Sequence, residues 1–260
     1  MTKIITTVGT SLFSNFQRDE VKDRYGRDYA SISINVPLRN IENDNPTAVG
    51  IYDDKYKHYI KSITENIEDY WLNDKYKENE QASAEIASIL KIVREDPKVE
   101  FEVHLLATDT LLSVLAGEMI AAWFARHPQL ARNIRQVLFQ RTPAIDFKAQ
   151  KESDYVVKDL RIEASSRYES GFMHLIEVLD KLYDQSKQAG QHIIFNVTGG
   201  YKAIIPIFTI YGQLRGIPLN YIYDDSNLQD PGLISIENLP FNFDWCVAEL
   251  FADFITDQEI

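Results

Sequence analysis

Five short apolar runs, most of them rich in β-branched residues, recur along the chain and predict buried strands. They are residues 3–8 (KIITTV), 99–108 (VEFEVHLLAT), 134–140 (IRQVLFQ), 192–197 (HIIFNV) and 218–225 (PLNYIYDD). The second run follows the sequence EDPK, which is typical of a turn.

Four further segments predict helices, because their apolar residues recur every three or four positions. They are residues 83–95, 110–127, 171–187 and 201–214. The second is apolar nearly all round, as expected of a helix packed on a sheet, and the fourth has Pro206 near its first turns. Strands that alternate with helices predict an α/β fold, a Rossmann-like, mostly parallel sheet with helices on both faces. Ligands of such sheets bind beyond the carboxyl ends of the strands.

Two segments interrupt this alternation. Residues 16–76 are polar and rich in tyrosine, which predicts an insertion after the first strand that ends in a helix near residues 55–71. Residues 226–260 predict a C-terminal extension of strand and helix, following a domain that spans residues 1–225. These roughly 35 residues are too few for an independent catalytic domain. We therefore expect either a domain that acts alone or a junction to a missing effector.

Composition and charge narrow the functional classes. The formal net charge of −12 opposes binding to long nucleic acid, because basic residues that neutralise phosphates supply most of that affinity. The single cysteine, Cys246, excludes an intramolecular disulfide framework and a cysteine-rich zinc site. No apolar run approaches the ~20 residues that span a bilayer, and the N-terminal residues read as a strand rather than a signal peptide. We expect a cytoplasmic protein with no membrane partner.

The sequence FNVTGGYKAIIP joins a predicted strand to a predicted helix and contains the first candidate site. Gly199 and Gly200 allow a ligand to approach the backbone, and the helix start that follows presents unpaired N–H groups. Lys202 would lie in the first helical turn, where a cation is unfavourable unless an anion binds. These residues predict a phosphate-binding turn, although an ordinary glycine turn with an exposed lysine explains them equally well. They do not match the P-loop pattern.

Two other loops would meet the first at the same edge of the sheet. Gly9, Thr10 and Ser11 form a tight turn with two hydroxyl groups after the first strand, although such hydroxyls often cap turns. After the second strand, Thr108 is followed by Asp109, which we interpret mainly as a helix cap. The histidines at positions 104, 174 and 192 have no metal-ligand spacing, and we expect them to be structural or exposed.

The chain resembles the CARF domain, the CRISPR-associated Rossmann fold, and within it the group that includes stand-alone ring nucleases. The resemblance lies in four segments that occur in the right order: TTVGTSL, SAEI, LLATDT and above all FNVTGGYKAIIP. The resemblance covers about residues 1–225, and the insertion matches poorly. It implies a homodimer that binds cyclic oligoadenylate, with cyclic tetra-adenylate favoured, on its two-fold axis. We expect the apolar helix at residues 110–127 and the C-terminal helix to supply dimer surface.

The resemblance also implies site residues and a reaction. Ser11, with Thr10 beside it, and Lys202 would be catalytic in a metal-independent cleavage that leaves 2′,3′-cyclic phosphate ends, without a cofactor. The ribose 2′-hydroxyl would attack, Ser11 would orient a phosphate oxygen, and Lys202 would stabilise charge. The ligand-binding set is Gly9, Thr10, Ser11, Thr108, Asp109, Asn196, Thr198, Gly199, Gly200, Tyr201 and Lys202.

Two alternatives remain open. The first is a non-catalytic sensor that controls an effector domain or partner by reporting that the ring is bound. The second is an unrelated nucleotide-using Rossmann enzyme, which should carry a G-x-G-x-x-G loop and an acidic residue about 20 positions later. Neither of those features is evident, so the second alternative is disfavoured.

Overall fold

The computed structural model describes residues 1–16, 80, 82–108, 110–139, 156–157, 160, 165–200, 202–222 and 232–237. The helices expected near residues 55–71 and in the C-terminal tail lie outside the described residues. The same holds for two members of the expected ligand-binding set, Asp109 and Tyr201.

All five strands predicted from the apolar runs are present. The strands are β1 (Thr2–Thr7), β2 (Phe101–Thr108), β3 (Ile134–Leu138), β4 (Val156–Val157), β5 (His192–Asn196), β6 (Leu219–Ile222) and β7 (Leu233–Ile236). Strand β4 was not predicted, and it has two residues only. Strand β7 lies beyond position 225 but pairs with β6, so the sheet continues into the expected C-terminal extension.

The four predicted helices are also present, with shifted ends in two of them. The helices are α1 (Ser11–Phe16), α2 (Ala84–Glu95), α3 (Leu111–Arg126), α4 (Ser165–Gln188) and α5 (Ile205–Arg215). The short helix α1 was not predicted, and α4 begins well before the expected residue 171. A 3-10 turn (Lys202–Ile204) precedes α5, which ends at Gly216 in the left-handed conformation.

The expected start of α5 was wrong, and Pro206 explains why. An α-helix reaching back to Lys202 would place the proline ring against the Lys202 carbonyl, four residues earlier, and would lack one hydrogen bond. The chain therefore tightens into the 3-10 turn before Pro206 and becomes α-helical at Ile205. Lys202 lies in this turn instead of the first turn of an α-helix.

The strand order is β3-β2-β1-β5-β6-β7, with β4 paired to β2. All pairs are parallel except β6 with β7. The chain proceeds from β1 to β2 and β3 on one side, and returns to pair β5 with the other side of β1. The order of the strands therefore reverses between β1 and β5, which is where open parallel sheets form their ligand crevice.

Two hydrophobic clusters cover the two faces of the sheet. Ile4 of β1 packs with α2 and α3, whereas its neighbour Ile5 packs with α4 and α5. This alternation follows from the two-residue period of a strand and confirms the predicted Rossmann-like α/β fold.

Helix α3, which we expected to supply dimer surface, packs most of its apolar side chains within its own chain. Leu112, Leu115 and Ile120 are buried in the core, and Trp123 is 1% exposed. The last two residues of the helix, Ala125 and Arg126, are exposed. A helix that is apolar nearly all round is buried in the core of its own subunit, so α3 leaves little apolar surface for a partner.

His104 is a structural residue, as expected for a histidine without metal-ligand spacing. It is buried on β2, where its Nε2 lies 2.5 Å from the carboxylate of Glu102. Burial lowers the pKa of His104, and burial also lowers the pKa of Lys3, which pairs with Glu102 across the sheet. None of the described helices has the length and hydropathy of a bilayer-spanning segment.

Candidate functional site

Three loops meet at the carboxyl edge of the three central strands. They follow β1, β2 and β5, which are adjacent and parallel, with Thr6 of β1 in register with Asn196 of β5. The β1–α1 loop carries Gly9 and Thr10, and the β5–α5 loop carries residues 197–202. The structure therefore brings most of the predicted site residues to one place.

The β1–α1 and β5–α5 loops touch through glycine backbones. A Cβ atom on Gly9 would lie 2.5 Å from the backbone nitrogen of Gly200, which is closer than real Cβ contacts. Gly200 has a φ of +91°, a backbone conformation that residues with a side chain rarely adopt. The hydroxyl of Thr7 donates to the carbonyl oxygen of Gly199 and ties the two loops together. Glycine is required here because the two loops approach each other closely, whereas the sequence-based expectation was that a ligand would approach the backbone.

Asn196 and Thr198 hold the β5–α5 loop in place with their side chains. The Asn196 amide is fully buried and donates to Ser88 at 2.7 Å. Its oxygen accepts from the Thr198 hydroxyl at 2.8 Å, and that hydroxyl accepts from the Ile222 N–H at 2.9 Å. The side chains of both residues therefore support the fold. The Asn196 side chain is buried, whereas the half-buried Thr198 hydroxyl keeps one lone pair.

Glu85, which the sequence analysis missed, lies between the two loops. It is in the first turn of α2 and is 0% exposed. Its Oε1 accepts from the Gly9 N–H at 2.7 Å, and a Cβ atom on Gly199 would overlap its carboxylate. The first turn of a helix stabilises a negative charge. An acidic residue near a helix start is common, so this position gave no functional signal in the sequence.

Ser11 is bound to the same carboxylate. Its hydroxyl donates to Glu85 Oε2 at 2.8 Å and accepts from the Ala84 N–H at 3.0 Å. The hydroxyl proton is thus committed to Glu85, whereas the sequence-based hypothesis had it orienting a phosphate oxygen. Ser11 is half-buried and keeps one lone pair for another donor.

The loop after β2 differs from the expectation at its helix cap. Thr110, rather than Asp109, is the N-cap of α3, and its hydroxyl accepts from the Ser113 N–H at 3.3 Å. Thr110 also lies 3.2 Å from the Thr108 hydroxyl. Ser113 donates to the carbonyl of Val8 at 2.9 Å and accepts from the Thr108 N–H, joining this loop to the β1 loop. A threonine caps a helix as aspartate does, since either oxygen accepts the orphan N–H groups.

Lys202 supplies the positive charge of the edge. Its side chain is exposed, and within the described part of the chain it forms no ion pair. The backbone N–H groups of Gly199 and Gly200 donate to no other described residue, and Thr10 is exposed beside them. Unpaired N–H groups next to a cation favour an anion such as phosphate.

Comparison with known proteins places the chain in a family. A model of the family described as CRISPR-associated protein (Cas_APE2256) matches residues 80–228, which is more than half of the 260 residues. The match includes Glu85, the β5–α5 loop and Lys202. A search of curated proteins gave no match. The chain therefore belongs to the Cas_APE2256 family of CRISPR-associated proteins.

Proposed function

We propose that this CRISPR-associated protein binds cyclic oligoadenylate, cyclic tetra-adenylate in particular, at the edge formed by the three loops. The observation that carries the proposal is the convergence of exposed Lys202 and the N–H groups of Gly199 and Gly200 beside the point where the strand order reverses. The resemblance to CARF domains supplies the identity of the anion. The net charge of −12 agrees with a small anionic ligand held in a local pocket rather than a long polyanion.

The ring would bind on the two-fold axis of a homodimer, so that each subunit contacts half of it. One observation on α5 supports an interface with a second copy. Ile210 and Leu214 lie one turn apart on α5, the helix that follows Lys202, and are 54% and 61% exposed. Apolar side chains that are exposed together on a helix are available for an interface.

We expect one ring of cyclic tetra-adenylate to bind per two chains. A symmetric ring on a two-fold axis satisfies two identical sites at once, whereas a ring in a closed pocket of one subunit would need one chain. Titration calorimetry with purified protein measures this ratio directly, and sedimentation without the ring gives the state of the free protein. A ratio of one ring per chain would contradict the shared site.

We further propose that the bound ring is cleaved. The ribose 2′-hydroxyl next to the scissile phosphate attacks phosphorus, and the 5′-oxygen leaves, so the protein need not supply a nucleophile. Lys202 and the glycine N–H groups stabilise the charge that develops on the phosphate oxygens. The task of the protein is to align the 2′-hydroxyl with the leaving oxygen.

Labelled cyclic tri-, tetra- and hexa-adenylate, incubated with the protein in excess EDTA, test this function. We expect the tetra-adenylate ring to open to linear products with 2′,3′-cyclic phosphate ends, at the same rate with and without EDTA, because the substrate's own hydroxyl attacks. Chromatography against chemically prepared linear standards identifies the products. If a ring binds tightly but stays intact for hours, the protein is a sensor and not a ring nuclease. If none of the three rings binds, both the sensor and the ring-nuclease hypotheses are contradicted.

A further inference from the structure

Glu85 is a buried carboxylate to which the proposed reaction gives no role. Its residue is 0% exposed, so a ligand at the loop edge does not reach it directly. Its two oxygens accept from Gly9 and Ser11 at 2.7 and 2.8 Å. No lysine or arginine of the described segments forms an ion pair with it. A buried carboxylate must have hydrogen-bond partners, and one of its two partners is the hydroxyl of Ser11.

Ser11 connects this carboxylate to the site. A serine hydroxyl has one proton and two lone pairs. The proton is donated to Glu85 Oε2, and one lone pair accepts from the Ala84 N–H at 3.0 Å. The remaining lone pair can accept a hydrogen bond from a hydroxyl of the ligand. The half-buried position of Ser11 allows that contact, while Glu85 stays behind it.

We infer that Glu85 is the positioning residue through which Ser11 removes the proton of the attacking 2′-hydroxyl. This inference rests on the proposed cleavage. As the 2′-oxygen forms its bond to phosphorus, the 2′-hydroxyl proton passes to Ser11 Oγ, and the Ser11 proton passes to Glu85 Oε2. The bond from phosphorus to the 5′-oxygen breaks, and the 5′-oxygen takes a proton from water. Glu85 returns its proton through Ser11 to the hydroxide that is left, so no water is consumed.

A relay and a simple brace make different predictions for this carboxylate. A brace that only spaces the Gly9 and Gly199 loops would lower affinity and thermal stability together with the cleavage rate. A relay changes the rate and leaves affinity in place, because Glu85 does not touch the ring. General-base assistance contributes about 10²- to 10⁴-fold in enzymes, and water can replace part of it.

The test compares Glu85→Gln with the wild type. Glutamine keeps the shape and one oxygen acceptor, but it does not take up the proton. With enzyme in excess over cyclic tetra-adenylate, we expect the single-turnover rate to fall at least about 10-fold, less than the full effect of general-base assistance because water replaces part of it. We expect affinity for the 2′-fluoro analogue of the ring, which has no attacking hydroxyl, to change less than about twofold, since a factor of two is only ~0.4 kcal/mol.

Two further variants complete the experiment. Glu95→Gln makes the same substitution at the exposed end of the same helix and should cleave at the wild-type rate. In the double variant Ser11→Ala with Glu85→Gln, the rate should equal that of the slower single variant, because both changes break one relay.

The outcomes separate this inference from the proposed function. If Glu85→Gln cleaves at the wild-type rate, or loses as much affinity as rate, the relay is overturned while the proposed ring-nuclease activity stands. A wild-type protein that binds the ring without opening it would overturn the cleavage and the relay together.

Discussion

The variant Ser11→Ala should cleave cyclic tetra-adenylate about 10- to 1000-fold more slowly than the wild type, which corresponds to a loss of about 1.4 to 4 kcal/mol in the transition state. In the proposed relay the hydroxyl of Ser11 contacts the attacking 2′-hydroxyl, and it is bound to Glu85 at 2.8 Å. Affinity should fall much less, because the N–H groups of Gly199 and Gly200 remain to hold the ring. Single-turnover rates and calorimetry with the 2′-fluoro ring measure the two effects separately.

The same substitution should also lower stability. Alanine leaves the Ala84 N–H and one oxygen of Glu85 without their partner, which costs about 1 to 3 kcal/mol. Rates must therefore be compared well below the melting temperature of the variant. Ser14→Ala is a matched control, since Ser14 is exposed on the same short helix and its hydroxyl donates to the Thr10 carbonyl at 3.4 Å. Equal rates in Ser11→Ala and the wild type would remove Ser11 from the mechanism.

The variant Lys202→Ala should bind cyclic tetra-adenylate about 10- to 150-fold more weakly, because it loses a charge-assisted contact to phosphate of about 1.5 to 3 kcal/mol. The melting temperature without ligand should stay unchanged, since among the described residues Lys202 has no ion-pair partner to lose. Calorimetry at two salt concentrations checks the reason, because a contact between charges weakens as salt increases.

A control for charge alone lies at the opposite edge of the sheet. Lys187 is exposed at the end of α4, just before the start of β5, and Lys187→Ala changes the net charge by the same amount. It should leave affinity within about twofold of the wild type, since exposed charges farther away than a Debye length are screened. Equal losses in the two variants would mean that the whole protein's field, and not a contact from Lys202, governs binding.

The sheet and its covering helices could be predicted because the information is local. The apolar face that carries Ile86 and Ile89 follows from the helical period within a dozen residues, and Ser83 caps the same helix from the position just before it. Strand β4 was not predicted, because its two valines are too few to show the two-residue alternation of a strand. Helix α1 was not predicted, because the sequence GTSLFS is typical of a turn. The displacement of α5 by Pro206 is a local effect that the sequence did contain.

The place of the candidate site could be predicted as well. Parallel strands bring their carboxyl ends to one edge, so loops with glycine, threonine and lysine after β1 and β5 had to converge there once the fold class was known. The positive φ of Gly200 is a backbone conformation that only glycine adopts readily, whereas the close approach at Gly9 is between two loops and was not expected.

The amino-acid sequence by itself thus determined the five longer parallel strands' apolar runs, the four long helices and the edge where the loops gather, since each depends on neighbours along the chain. Only the tertiary structure decided which polar groups remain for a ligand. Ser11 forms a hydrogen bond with Glu85, which is 74 positions away in the sequence, and Asn196 forms one with Ser88, which is 108 positions away. A hydroxyl, an amide or a carboxylate has the same local pattern whether it binds a ligand or a distant side chain. Its partner is set by how separate segments pack, because a buried polar group must be paired wherever the chain places it.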